Sequence, residues 1–234
     1  MSSFFEVHHK LIGEDSQANI SSSHIAIVGI GGLGCSVAMG LVRLGVKNLT
    51  LMDHDEIEAS NIPRQILFDH SDVGFSKVTV AKQKLSQIFN DLNIATIKGS
   101  ISAKNGTNHL NGADIVIDCT DNHIARYAIS RCCETLDIPM IYGGVEGFNG
   151  QVGVFSLHGS KPFHVLFPKV EALVSNEQCN ASGVLPFVVQ SVGNLQVIEA
   201  YKIIRDEDNI LNNRLLCINV LTGKQRIINL DIKK

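Results

Sequence analysis

The stretch His24-Ile25-Ala26-Ile27-Val28-Gly29-Ile30-Gly31-Gly32-Leu33-Gly34 restricts the fold more than any other part of the chain. A β-branched run fit for a buried strand stops in glycines, and a helix-compatible segment follows at once. Gly29, Gly31 and Gly34 match the strand-to-helix turn of a dinucleotide-binding βαβ unit. In such a turn the first glycine allows the tight reversal and the second lets a phosphate approach the backbone. The third lets the helix pack closely on the strand. A helix starting there presents unpaired N–H groups and a partial positive charge to an anion. A second apolar strand ends in Asp53, near the roughly 20-residue offset at which an acidic residue takes a ribose hydroxyl. The turn implies a nucleotide but not which one.

The rest of the chain reads as one α/β domain over residues 1–234. The expected architecture is a Rossmann-like mixed sheet, mainly parallel in its N-terminal βαβ part, with antiparallel C-terminal strands. Residues 1–23 form an irregular or helical arm before strand 24–29, helix 33–44 and strand 48–53. The polar segment 54–75, which contains Pro63, is too long for an ordinary strand-to-helix loop, and such loops are usually functional. Ser76 is placed to cap a helix over 77–89, with Val78, Ala81, Leu85, Ile88 and Phe89 on one face. A strand at 94–98, a turn at Asn105-Gly106, a buried strand within 113–119, a helix over 123–136 and a short strand at 139–142 follow. Alternation from Gly150 to Leu157 marks a half-exposed antiparallel strand. Residues 158–182 carry little pattern and read as a crossing loop, followed by a helix over 184–204 with Pro186 in its first turn. Runs at 215–220 and 225–230 close the chain as a hairpin around Thr222-Gly223. On the long helix, Val188, Val192, Leu195, Ile198, Ala200 and Ile203 suit core packing or burial against a second subunit, so a homodimer is expected.

Charge and composition narrow the partners. A net charge of −3, a pI near 6.3 and scattered Lys and Arg argue against nucleic acid. No segment is long and apolar enough to span a bilayer and the N-terminus carries no export signal, so no membrane partner and a cytoplasmic location are expected. The six cysteines include no C-x-x-C pair and read as reduced thiols, mostly small core residues.

Four features fall where strand C-termini line one edge of a parallel sheet: the glycine turn, Asp53, the pair Asn61/Arg64 with Lys77, and Asp121-Asn122. Together they offer two cations for a triphosphate, a carboxylate for Mg²⁺, a ribose acceptor and a backbone cradle for an anion. Taken singly, Arg64 and Lys77 are ordinary solvated charges, Asp53 also suits a strand-end cap although the ribose role is favoured, and Asp118 is a support for backbone groups under the site. A NAD-dependent oxidoreductase, the rival from another class, needs the turn and Asp53 but has no use for two cations on the phosphates.

Gly29-x-Gly31-Gly32-Leu33-Gly34, Ser60-Asn61-x-x-Arg64-Gln65, Lys77 and Asp118-Cys119-Thr120-Asp121-Asn122 together resemble the ThiF/MoeB/HesA adenylyltransferases, bacterial relatives of ubiquitin-activating enzymes. The resemblance runs from about residue 23 to residue 202, with the motifs in family order. It implies that the carboxylate of a small ubiquitin-like sulfur carrier ending in Gly-Gly attacks the α-phosphorus of ATP, giving an acyl-adenylate and pyrophosphate. By that likeness Gly32 touches the nucleotide and Asp53 binds the ribose. Ser60, Asn61, Arg64 and Lys77 line the phosphates, and Asp121 holds Mg²⁺ with Asn122 beside it. Cys179, in a polar stretch before a helix N-terminus, stands where the family can carry a cysteine that accepts the carrier or its sulfur.

Three departures accompany the likeness. The first of the family's two zinc-binding cysteine pairs is replaced by Pro162-Phe163-His164-Val165-Leu166, so no structural zinc is expected. The family's arginine-bearing N-terminal arm is replaced by Phe5-Glu6-Val7-His8-His9-Lys10, leaving Lys10, His8 or His9 to substitute. No appended sulfurtransferase domain is expected after the hairpin, and a sulfurtransferase stands among the candidate partners beside the carrier. The thiazole pathway is slightly preferred over molybdopterin sulfur transfer. Adenylation of a short peptide carboxylate and a degenerate, non-catalytic nucleotide binder complete the alternatives.

Overall fold

A computed structural model describes residues 4–168 and 183–230. Two short helices, α1 (Glu6–Ile12) and α2 (Glu14–Ser22), precede β1 (His24–Val28), α3 (Gly32–Leu44) and β2 (Asn48–Asp53). Then come α4 (Lys77–Ser86), β3 (Asn93–Lys98), α5 (Gly106–Leu110), β4 (Ile115–Asp118) and α6 (His123–Leu136). The chain continues through β5 (Met140–Glu146), β6 (Asn149–Phe155), α7 (Phe163–Leu166), α8 (Pro186–Ile204), β7 (Arg214–Asn219) and β8 (Gln225–Asn229).

The strands form one sheet in the order β3-β2-β1-β4-β5-β6-β7-β8. Pairing is parallel from β3 through β5 and antiparallel from β5 through β8. The expected Rossmann-like mixed sheet is therefore observed. β1 lies between β2 and β4, so the chain leaves it in opposite directions along the sheet, and the crevice at such a reversal is where open α/β sheets bind ligands.

Alternation along the strands sends side chains to two cores. Ile25, Ile27, Leu49, Leu51, Ile117 and Ile141 are buried with α3, α4 and α8 on one face. Ala26, Val28, Met52, Val116, Met140 and Phe155 are buried with α5, α6 and α7 on the other. The stripe on α8 is core in part: Val188, Val192 and Ala200 are fully buried, whereas Ile198 is 46% exposed. The arm is helical and docked. Ile20 is buried, Gln17 Nε2 donates to Leu44 O at 2.9 Å, and the Phe5 ring lies 5.3 Å from that of Phe89.

The structure corrects several local expectations. Ser76 stands at the N-cap position of α4, but its hydroxyl makes no capping bond and has no hydrogen-bond partner among the described residues. α4 ends at Ser86 rather than at residue 89. Asn105-Gly106 opens α5 instead of forming a plain turn, and the Asn105 Oδ1 accepts from the Ser102 N–H at 2.8 Å. β5 does not stop at 142 but runs through Gly143-Gly144 to Glu146 and folds back directly into β6. Glycine is used at 143 because α8 crosses there: a methyl group at Gly143 would sit 2.4 Å from the Gln196 amide carbon. The segment 158–182 is not wholly irregular, since α7 lies within it, and Cys179 falls outside the described residues.

Candidate active site

The site grows from the turn between β1 and α3. Gly29 has φ +92°, and a methyl group there would lie 2.8 Å from the Cys119 carbonyl oxygen. At Gly34 a methyl would lie 1.9 Å from the Gly29 oxygen, so the first turn of α3 closes directly on the strand end. Gly31 precedes the first residue of α3, Gly32, and the leading N–H groups of that helix have no intrahelical acceptor.

Asp53, at the end of β2 and 8% exposed, holds this turn in place. Its Oδ2 accepts from the Ile30 N–H at 2.6 Å and its Oδ1 from the Asp55 N–H at 2.8 Å. The strand-end cap weighed from sequence is thus present. Each oxygen keeps a second lone pair, which a ribose hydroxyl requires.

The long segment after β2 carries the cations. A 3-10 turn, Ala59–Asn61, buries Asn61, whose Oδ1 accepts from the Glu58 N–H at 3.3 Å and whose Nδ2 donates to Ser60 Oγ at 3.3 Å. Arg64 Nη1 donates to the Ser60 carbonyl at 2.8 Å, and among the described residues its guanidinium has no carboxylate partner. Lys77, the first residue of α4, is nearly buried and donates to Asp55 Oδ2 at 2.6 Å. Burial acts to raise the pKa of the Asp55 carboxyl, but the bond and charge of Lys77 outweigh it and hold the group below its usual value. Lys77 is therefore already paired without a nucleotide. Asp55 was not singled out from sequence; its only signal is its position two residues beyond Asp53.

On the β4 side, Asp118 is fully buried against Arg126, whose Nε donates to Asp118 Oδ2 at 2.7 Å. Arg126 also donates from Nη2 to the Thr120 carbonyl at 2.8 Å and stacks 4.6 Å from the centre of the Tyr142 ring. Asp118 Oδ1 accepts from both the N–H and hydroxyl of Thr120, at 2.9 and 2.6 Å. These bonds frame the turn that presents Asp121, an exposed carboxylate with neither hydrogen bond nor ion pair among the described residues. Asn122, next in the chain, is engaged by the helix that follows. Its Oδ1 caps α6, accepting from the N–H groups of Ile124 and Ala125 at 2.8 and 3.1 Å. Arg126 was also missed from sequence, where it is one more charge in a helix.

The glycine turn, Asp53, the Lys77–Asp55 pair and Asp121 thus sit on segments that leave the C-terminal ends of β1, β2 and β4, which are neighbours in the sheet. Asp53 reaches the turn through the Ile30 N–H, and Gly29 lies close against Cys119, two residues before Asp121. Mg²⁺ prefers oxygen ligands and binds through one or two carboxylates plus substrate phosphates. The uncommitted carboxylate of Asp121 fits that requirement. Asp53, His54 and Asp55 also place ligand-type atoms within 4.8 Å of one another, but the two carboxylates are already taken by backbone N–H groups and Lys77. The expected substitutes for the arm's arginine are engaged locally: Lys10 lies 3.7 Å from Glu6, His9 lies 4.0 Å from Glu14, and His8 Nδ1 lies 3.2 Å from Gln17 Oε1. In α7, at the place of the first cysteine pair, Phe163 is buried and stacks on Phe167 at 4.6 Å.

Comparison with known proteins places the chain among relatives of similar sequence and fold. The chain is 34% identical over 218 residues to the "Adenylyltransferase and sulfurtransferase MOCS3-1" of Zea mays, covering 93% of this chain and 47% of that protein. It is 35% identical over 210 residues to a "Probable molybdopterin-synthase adenylyltransferase" of Gracilaria tenuistipitata var. liui, covering 90% and 59%. The chain spans about half the length of the curated relatives it matches. Among solved structures, E. coli MccB with ATP superposes with a TM-score of 0.82 at 20% identity, over 98% of this chain and 72% of that chain. PaaA superposes with a TM-score of 0.78 at 21% identity, over 92% and 66%. These two structures share the fold. The sequence profile described as the ThiF family matches residues 6–234. The chain belongs to the ThiF family.

Proposed function

We propose that the chain, as one domain over residues 1–234, is an adenylyltransferase that activates the C-terminal carboxylate of a small ubiquitin-like sulfur-carrier protein ending in Gly-Gly. The reading rests above all on four groups carried by segments that follow the C-terminal ends of β1, β2 and β4. They are a phosphate-ready helix N-terminus, a guanidinium without a carboxylate, a lysine paired to a half-exposed aspartate, and an uncommitted carboxylate. A carboxylate oxygen of the carrier forms a bond to the α-phosphorus of ATP. The bond between that phosphorus and the α–β bridging oxygen breaks, pyrophosphate leaves, and the acyl-adenylate remains. Such a transfer asks the protein for positioning and charge stabilisation more than for covalent chemistry.

In this scheme Asp53 takes the ribose, Gly29, Gly31, Gly32 and Gly34 shape the phosphate cradle, and Ser60 and Asn61 fix the segment that aims Arg64. Arg64 and Lys77 meet the charge that develops on the phosphates, and Lys77 exchanges Asp55 for the nucleotide as it does so. Asp121 would hold Mg²⁺, which when bound neutralises triphosphate charge. Asn122 supports Asp121 by capping α6. Cys179 is the proposed acceptor of the activated carrier. A homodimer, a sulfurtransferase partner and a cytoplasmic setting belong to the same proposal, and no helix among the described residues is long and apolar enough to cross a membrane. The names of the curated relatives favour the molybdopterin branch over the thiazole branch.

The test is isotope exchange between pyrophosphate and ATP in the presence of candidate carriers and of short peptides. Exchange should require a Gly-Gly carrier and should vanish in Arg64→Ala and Asp121→Ala, each folded as judged by thermal melting. Exchange driven by a peptide instead would replace the carrier by a peptide substrate. Near-normal exchange in either variant would remove that residue from the mechanism.

A further inference from the structure

α8 touches both the glycine turn and the end of β4. Near its start, Val189 packs on Gly32, the first residue of α3: a methyl group on that glycine would lie 3.1 Å from a Val189 methyl carbon. Two turns further on, the side chain of Gln196 is completely buried. Its Nε2 donates to the Asp118 carbonyl at 2.9 Å, and its Oε1 accepts from the Cys119 thiol at 3.8 Å. A buried amide is costly unless both of its ends are matched, and here two consecutive residues at one strand end match them. Gly143 on β5 leaves the space that the amide fills.

Those bonds fall where the sheet stops holding the chain. The Cys119 N–H donates to Val28 O at 2.9 Å, and the pairing of β4 with β1 and β5 extends no further among the described residues. The turn that follows takes its place from side chains. Asp118 and Arg126 bond to Thr120 on the α6 side, and Gln196 holds Asp118 and Cys119 from the α8 side. Asp121 is exposed and has neither a hydrogen bond nor an ion pair among the described residues, so its carboxylate goes where the turn goes.

We propose that Gln196 is a positioning residue: it registers the Asp121 turn against α8, and through Val189 against the Gly32 end of α3. The inference rests on the adenylyltransferase reading, in which Asp121 would hold Mg²⁺ against phosphates at that helix end. Asp118 and Arg126 fix the shape of the turn. Gln196 fixes where that shape sits relative to the glycine turn, from a helix that touches both. A group displaced by about 1 Å at such a centre can lose on the order of a hundred-fold in effect, so a support remote from the ligand still matters. Outer supports of a metal ligand act in the same way. A glutamine kept for packing alone would yield to methionine, of similar length and without the amide, with metal-bound and metal-free nucleotide affected alike.

The experiment titrates ATP by calorimetry into wild-type protein and Gln196→Met, once with Mg²⁺ and once with EDTA. It also follows backbone hydrogen exchange over residues 119–122 with neither ligand present. Mg-ATP affinity of the variant should fall about ten- to hundred-fold, the range for losing an outer support of a metal ligand. Metal-free ATP affinity should be unchanged. Exchange over 119–122 should speed up several-fold while exchange over α3 holds. Gly143→Ala puts a methyl 2.4 Å from the Gln196 amide carbon, so it pushes the amide aside without deleting it. It should give the same selective loss, and it carries the test if Gln196→Met does not fold. Equal loss with and without metal overturns the assignment, as does no loss with either or unchanged exchange over 119–122. Failure of both variants to fold marks a purely structural amide and overturns it too. Wild-type protein that binds ATP no more tightly with Mg²⁺ than without overturns the inference, because no metal is then held. Wild-type protein that binds no Mg-ATP at all overturns the adenylation reading itself.

Discussion

Replacing Arg126 by methionine should destabilise the protein by about 3–5 kcal/mol, the penalty for leaving one charge of a buried ion pair without its partner. The side chains of Arg126 and Asp118 are 8% and 0% exposed, and they are joined at 2.7 Å. Burial works against the charged guanidinium, but the Asp118 carboxylate outweighs it and keeps the Arg126 pKa above its ordinary value. For a chain of 234 residues each kcal/mol shifts the melting temperature by about 2–4 °C, so the loss should appear as roughly 6–20 °C. Calorimetry on Arg126→Met, Asp118→Asn and the double variant closes the cycle. The double variant removes both charges and leaves no unpaired ion, so it should lose clearly less than the sum of the single variants. If the effects instead add to within about 0.5 kcal/mol, the pair is not coupled and the account of the Asp118–Asn122 turn is wrong.

Other outcomes follow from the same geometry. Asp55→Asn frees Lys77 in the absence of nucleotide, so Mg-ATP should bind several-fold more tightly by titration. Since Lys77 lowers the Asp55 pKa, the pair contributes stability above the ordinary carboxylate pKa of about 3.9 and loses it as pH falls through the lowered value. The difference in urea midpoint between wild type and Asp55→Asn should accordingly be full at neutral pH and close in acid. Gly34→Ala puts a methyl 1.9 Å from the Gly29 oxygen and should cost more than the roughly 1–3 kcal/mol of ordinary overpacking, because the obstacle is backbone. In Gly31→Ala the nearest non-neighbouring atom is 3.9 Å away, so the melting temperature should hold while Mg-ATP affinity falls. Equal stability of the two alanine variants would contradict this account of the turn.

Much of the fold was legible because its signals are local. The glycines of the first turn, the buried-strand runs and the alternation along β6 reflect steric and solvation preferences of neighbouring residues, and they placed β1, α3, β2, β4 and α6 within a few residues. Expectations failed where distant chain segments decide. β5 runs on through Gly143-Gly144 because α8 passes over it, and Ser76 leaves its helix uncapped although its residue type favours capping. The segments that carry Asp53 and Asp121 leave neighbouring parallel strands at the same edge, because the C-terminal ends of parallel strands must share one.

Sequence by itself determined the βαβ entry and the mixed character of the sheet, parallel in its first part and antiparallel in its last. These follow from chain sterics and hydrophobic period, which need no knowledge of the rest of the molecule. Only the tertiary structure decided that Lys77 is held by Asp55, that Arg126 props the Asp121 turn through Asp118, and that Asn122 caps a helix. A hydrogen bond exists only within about 3 Å, and which polar atoms come that close is settled by packing between segments, not by the residues on either side.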